Sequence, residues 1–186
     1  MKKLILTLFI LVVAISLAGC APVEKKDVAE SVENAETESQ FERVLLKKGS
    51  LILKEFIDYG KVEDIELQSA CLTDLETGSK YYALRATTSY YNSKYDYGDA
   101  VGILDSAEID GAISTLEYIK AHVKELKDYS EVVYKANSGM EIGAYHSSNK
   151  NQLYIKLDSN ATEFYSVYSI DKFITAFKGV KAMFGE

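Results

Sequence analysis

The run Ile109-Asp110-Gly111-Ala112-Ile113-Ser114-Thr115-Leu116-Glu117-Tyr118-Ile119-Lys120-Ala121-His122-Val123 carries one amphipathic helix. Ile109, Ala112, Ile113, Leu116, Ile119, Val123 and Leu126 recur at helical spacing and share one face. A second run, Ile170-Asp171-Lys172-Phe173-Ile174, opens a helix whose apolar face is Ile170, Phe173, Ile174, Phe177, Val180 and Phe184. The two match at a constant offset, 170 less 109, of 61 residues. Ile109-Asp110 aligns with Ile170-Asp171, Ile113 with Ile174, Leu116 with Phe177, Ile119 with Val180 and Val123 with Phe184. Asp105 and Glu108 have capping-box spacing before the first helix, with Asp in place of Ser or Thr. Ser169 is expected to cap the second. An internal repeat of this kind governs the whole architecture.

Working outward, the segments before each helix read as strands. Leu51–Tyr59 is expected to be a strand ended by Gly60. Ile65, Leu67, Ser69, Cys71 and Thr73 alternate with Glu66, Gln68, Ala70, Leu72 and Asp74, the period-two pattern of a half-buried strand. Gly78 marks a turn, Lys80–Tyr91 alternates again, and Ala100–Leu104 is a short apolar strand. The second half follows the same order: Glu131–Lys135, a turn at Asn137-Ser138-Gly139, Met140–His146, a turn at 147–150, Leu153–Leu157, a turn at Ser159-Asn160 and Phe164–Tyr168. The 14 tyrosines, with many β-branched residues, also favour sheet.

These elements predict an α+β fold, antiparallel sheet with two amphipathic helices, as a tandem ββββα repeat over residues 49–127 and 129–186. In element order this resembles the Whirly and PUR-type ββββα repeats. That resemblance implies single-stranded nucleic-acid binding through basic and aromatic sheet surfaces. The charge argues otherwise, and architecture alone does not carry activity.

The N-terminus adds a separate signal. Lys2-Lys3, an apolar run from Leu4 to Leu17 and a small-residue junction have the form of a secretory signal. The run is short of the roughly 20 apolar residues a membrane span needs. Its end, Leu17-Ala18-Gly19-Cys20, resembles the lipobox of bacterial lipoproteins. The resemblance implies removal of residues 1–19 and lipid on the Cys20 sulfur, with palmitate-type acyl chains as the membrane anchor. It implies the cell envelope: the cell surface of a Gram-positive organism, or the outer membrane or a periplasm-facing position in a Gram-negative one, with Ala21 in place of Asp after the Cys leaning toward the outer membrane. Residues 20–40 have no aromatic residue and many acids, and are expected to form a flexible tether, with a short helix over Val28–Ala35 as the rival. A single α+β domain follows over 41–186.

Of 21 basic residues, loss of Lys2 and Lys3 leaves 19 against 28 acidic ones, a net charge of −9. Such a surface repels nucleic acid and anionic lipid headgroups. With Cys20 acylated, Cys71 has no intramolecular disulfide partner.

The chemical inventory is sparse. His122 flanks a helix and His146 ends a strand, so a Cys71–His146 dyad is the strongest nucleophile pairing available, and a lone strand Cys is ordinarily a small buried hydrophobe. No metal-ligand spacing, calcium loop or phosphate loop is present, and no catalytic residue, metal or cofactor is expected. The unusual cluster is Tyr81, Tyr82, Tyr90, Tyr91, Tyr95 and Tyr97. Alternation places one ring of each pair on either sheet face. Rings left exposed serve recognition at low entropic cost; the plainer role is cross-strand pairing. Tyr81, Arg85, Tyr91, Tyr95 and Tyr97 are the candidate partner-binding residues. The resulting expectation is a non-catalytic envelope lipoprotein that binds a protein or glycan partner, with an envelope hydrolase and a single-strand nucleic-acid binder as alternatives. Oligomeric state is left open.

Overall fold

The computed structural model describes residues 38–185 except 94 and 149, without the side chains of 92, 93 and 96. The signal, Cys20, the Val28–Ala35 segment and all but the last three tether residues lie outside the described residues. Helix α1 spans Gln40–Leu45. Strands β1 (Ile52–Val62), β2 (Ile65–Asp74), β3 (Lys80–Ser93) and β4 (Asp96–Asp105) follow, then helix α2 (Ile109–His122). The second half contains β5 (Ser130–Lys135), β6 (Glu141–Ser147), β7 (Lys150–Lys156), β8 (Thr162–Ser166) and helix α3 (Ile170–Ala182). Each set of four strands is an antiparallel meander in sequence order. The fold is α+β, with the order ββββα occurring twice.

The helices are exchanged between the halves. Helix α2, which follows the first sheet, packs on β5 and β6 of the second, and α3 packs on β1, β2 and β3 of the first. Two glycines permit the close approach. A Cβ at Gly179 would lie 2.2 Å from the Tyr59 ring, and one at Gly111 would lie 2.7 Å from the Tyr134 ring. One core is therefore built from both halves, from Ile65, Leu67, Leu84 and Leu104 of the first sheet to Ile142, Leu153 and Ile155 of the second, with both apolar helix faces between. Most paired positions are buried alike: Leu116 and Phe177 fully, and Ile109 fully with Ile170 nearly so, whereas Val123 is buried and its counterpart Phe184 only partly.

The contact between α2 and α3 has two-fold character. Lys181 donates to Asp110 at 2.6 Å and Lys120 to Asp171 at 2.6 Å. At the 61-residue offset Asp110 becomes Asp171 and Lys120 becomes Lys181, so the two ion pairs exchange. Glu117 and Lys178 are likewise equivalent, and they pair with each other at 2.7 Å. A contact in which i meets j and j meets i is the mark of a two-fold relation, here within one chain.

Local details differ from the sequence reading. Strand β1 does not end at Gly60 but passes through it by a bulge, where Gly60 has φ +132°. Asp105 does not cap α2. Its carboxylate accepts from the backbone N–H groups of Gln40 (2.6 Å) and Phe41 (3.0 Å), capping α1 instead. Only the return half of the box forms at α2, where the Asp105 N–H donates to Glu108 at 3.0 Å. Ser169 does not cap α3 either; its hydroxyl donates to Glu63 at 2.8 Å.

Helix α1 is an addition to the expected elements. Ser39 and Glu42 form its capping box, with Glu42 N–H donating to Ser39 Oγ at 2.9 Å. Its Phe41 fills a second small core with Ala70, Leu72, Ala83 and Ile103 on the outer face of the first sheet.

Candidate functional site: the open face of the first sheet

Alternation gives the first sheet two faces. The inner face holds Ile65, Leu67, Leu84 and Ala86 in the main core. The outer face is closed by α1 at one end only. Beyond α1 the cross-strand register sets out rungs of exposed side chains. Asp58, Gln68 and Arg85 form the first, Lys61, Glu66, Thr87 and Val101 the next, then Ser89 with Asp99, and finally Tyr91 with Tyr97. Lys61, Glu66, Arg85, Ser89 and Asp99 border an open groove of about 370 Å³.

Arg85 is held in place by its own rung. It donates to Gln68 Oε1 at 2.7 Å, and Gln68 Nε2 donates to Asp58 at 2.6 Å. Its guanidinium lies 5.6 Å from the centre of the Phe56 ring, within cation–π range. Two of its faces are thus used and the rest of the group fronts the groove. Further along, Ser89 donates to Asp99 at 2.8 Å. Groove cations Lys61 and Arg85 face the carboxylates Asp64, Glu66 and Asp99, so both signs are present.

The tyrosines divide. Tyr82 stacks on Phe184 at 5.6 Å, Tyr90 packs on the main core, and Tyr81 packs on the small core beside Phe41. Tyr91, Tyr95 and Tyr97 instead project at the β3–β4 hairpin, 73, 88 and 67 % exposed. The Tyr91 and Tyr97 rings lie 6.4 Å apart and 29° from parallel, forming one platform. Of the candidate residues, Tyr91, Tyr95 and Tyr97 come together at the hairpin, Arg85 stands in the adjoining groove, and Tyr81 lies at the α1 end. Ten residues of strand, about 33 Å at 3.3 Å each, separate Tyr81 from Tyr91.

Asp64 in the β1–β2 turn links the groove to the second half. It accepts from the Tyr165 hydroxyl. Burial, then the Asp64 carboxylate, pushes the Tyr165 phenol well above its ordinary range. Glu163 stands beside the same carboxylate, and burial followed by Asp64 raises its pKa. Next to them Glu63 accepts from Lys172 and Ser169, both at 2.8 Å, and these bonds hold its carboxyl below the usual value.

The two members of the imagined dyad stand apart in the fold. Cys71 is on β2 with Sγ 3.9 Å from the Thr73 hydroxyl, whereas His146 is on β6 and meets Asn151 at 2.7 Å. Among the described residues no group of three His, Cys, Asp or Glu is placed to hold a metal ion, and no helix is long and apolar enough to cross a membrane. The chain matches no protein-family model, no curated protein and no solved structure at a significant level. Lys61 of the groove, and Gln68, Asp58 and Phe56, which hold Arg85 beside it, carry no signal of this role in the sequence. Their alternation is legible in Glu66 and Gln68, but the partner across each rung follows from strand register.

Proposed function

We propose that this protein is a non-catalytic lipoprotein of the cell envelope that binds a glycan on the open face of its first sheet. The observation that carries the reading is the exposed Tyr91–Tyr97 platform beside a polar groove. Sugar rings present apolar C–H faces to stack on aromatic rings and hydroxyls to bond with carboxylate, amide and guanidinium groups. The groove offers Asp99, Glu66 and Arg85 for the second task. Its mixture of signs suits a ligand rich in hydroxyls and poor in net charge. A polyanion would meet three carboxylates there, which disfavours the single-strand nucleic-acid alternative.

Lipid on Cys20 would supply the membrane attachment that a net charge of −9 opposes. The tether of about 20 residues would span roughly 25 Å as a coil. The chain enters the described domain at α1, and the tyrosine hairpin is at the other end of β3. A domain held by its N-terminus would therefore have its platform free to reach outward.

Two measurements test this. Metabolic labelling with an acyl chain should mark the wild-type chain and not Cys20→Ser; equal labelling of both would remove the anchor. Binding to cell-wall and capsular glycans should fall at least about 10-fold in Tyr91→Ala/Tyr97→Ala, on the order of 1 kcal/mol for each ring's packing. Thermal unfolding should be unchanged, because both rings are exposed. An array on which the wild-type domain binds no glycan would overturn the reading.

A further inference from the structure

We propose that the free edge of β1 pairs with β1 of a second copy of this chain, antiparallel about Phe56, joining two first sheets into one. Among the described residues the two sheets have four edges, and they are not alike. At β4 the second half reaches one end of the edge, where Ser138 donates to the carbonyl oxygen of Ile103, and the other end carries the Tyr91–Tyr97 platform. Edge β8 is 5 residues long and lies against the β1–β2 turn through Tyr165 and Asp64. Edge β5 has 6 residues. Strand β1 runs for 11 residues and is paired only on its β2 side.

Its side chains are what an unpaired edge ordinarily avoids. Leu53 is 44 % exposed and Phe56 and Ile57 are each 47 % exposed. A long edge with exposed apolar residues is a template for another strand. Charged residues usually blunt such an edge, and β1 has Lys54, Glu55, Asp58 and Lys61. The placing of Lys54 and Asp58, two residues either side of Phe56, makes this pair of charges self-complementary instead.

In an antiparallel pair, residues directly opposite each other point to the same face, so only alternate registers keep every side chain where the sheet puts it. Centred on Phe56, the pairing sets Lys54 opposite Asp58 of the other copy, and Asp58 opposite Lys54. Phe56 meets itself and Glu55 meets Ile57, while Tyr59 lies in the bulge outside the ladder. Centring one residue earlier sets Glu55 against Glu55. Centring one residue later leaves Lys54 opposite Gly60 and Asp58 opposite Phe56, with neither charge matched. Centring on Asp58 would oppose two carboxylates. The Phe56 register is thus selected by charge, and its core, residues 54–58, precedes the bulge between Asp58 and Gly60. Charge complementarity of β1 with itself is what identifies a second copy as the occupant.

Sedimentation equilibrium tests this on residues 20–186 with Cys20→Ser, which include the whole compact unit Thr37–Glu186. The wild-type sequence should show a concentration-dependent dimer. Lys54→Asp should weaken it on the order of 10-fold, since both symmetric pairs become like-charged. Lys54→Asp/Asp58→Lys should restore it, because the swapped charges match again. Circular dichroism should be the same for all three chains. A wild-type chain that stays monomeric up to millimolar concentration overturns the proposal, as does a dimer indifferent to Lys54→Asp. Failure of the double variant to recover overturns the register.

Discussion

Asp105 shows how a residue's role depends on what folds back against it. Its spacing to Glu108 fits a cap on the helix that follows it, yet its carboxylate meets two N–H groups that precede it by more than sixty residues, at 2.6 and 3.0 Å. Removing it orphans both donors at a nearly buried site. Asp105→Ala should therefore cost about 1–3 kcal/mol, lower Tm by several degrees, and increase hydrogen exchange at Gln40 and Phe41 before the rest of the domain. Glu163 gives a prediction with the opposite sign. Its folded-state pKa is raised, so the folded state keeps a proton that the unfolded chain releases. Stability on its account is highest below the ordinary glutamate pKa of about 4.3 and is lost as pH rises through the higher folded value. Glu163→Gln should leave stability unchanged in acid and increase it at neutral pH, as read by chemical denaturation at both. Glu63 runs the other way: its lowered pKa makes its bonds with Lys172 and Ser169 a contribution present at neutral pH and lost in acid.

The exchanged helices depend on two glycines. Glycine in a helix interior costs about 1 kcal/mol relative to alanine, so Gly179→Ala would be stabilising if only the helix mattered. The end of the Tyr59 ring stands where the added methyl group would go, and this ring, 38 % exposed, must turn toward solvent to admit it. Gly179→Ala should therefore gain less than the full helix term. In a Tyr59→Ala background the same change should gain the full amount of about 1 kcal/mol, and a double-mutant cycle by urea unfolding would measure the difference. Helix α1 was the least legible element. Six residues with one buried side chain make too short a periodic pattern to recognise. Its capping box, Ser39-Gln40-Phe41-Glu42, is nevertheless visible in the sequence, and that signal could have found it. Helices α2 and α3 were plain because their apolar positions repeat over several turns.

Across the whole molecule, the exchange of helices makes the halves interdependent. Each sheet finds the helix that covers it in the other half, so each half alone would expose a sheet's inner face and an apolar helix stripe. Fragments 38–127 and 128–186 should each lack cooperative unfolding, and mixing them should recover it, as followed by near-ultraviolet circular dichroism. The ion pairs along the two-fold between α2 and α3 are exposed and should add little, about 0.2–1 kcal/mol each. The packed Leu116, Phe173 and Phe177 side chains hold the helices together.

The sequence by itself determined the element types and their repetition, because alternation and helical spacing are local properties written along the chain. It also marked Tyr91, Tyr95 and Tyr97 as unusual. Only the tertiary structure decided which sheet each helix covers, which helix Asp105 caps, and which tyrosines remain outside the core. These depend on pairings between residues distant in sequence. In the first sheet, strand register brought Gln68 beside Arg85 and Asp58, and the burial of Phe41 closed one end of the outer face while leaving the other open.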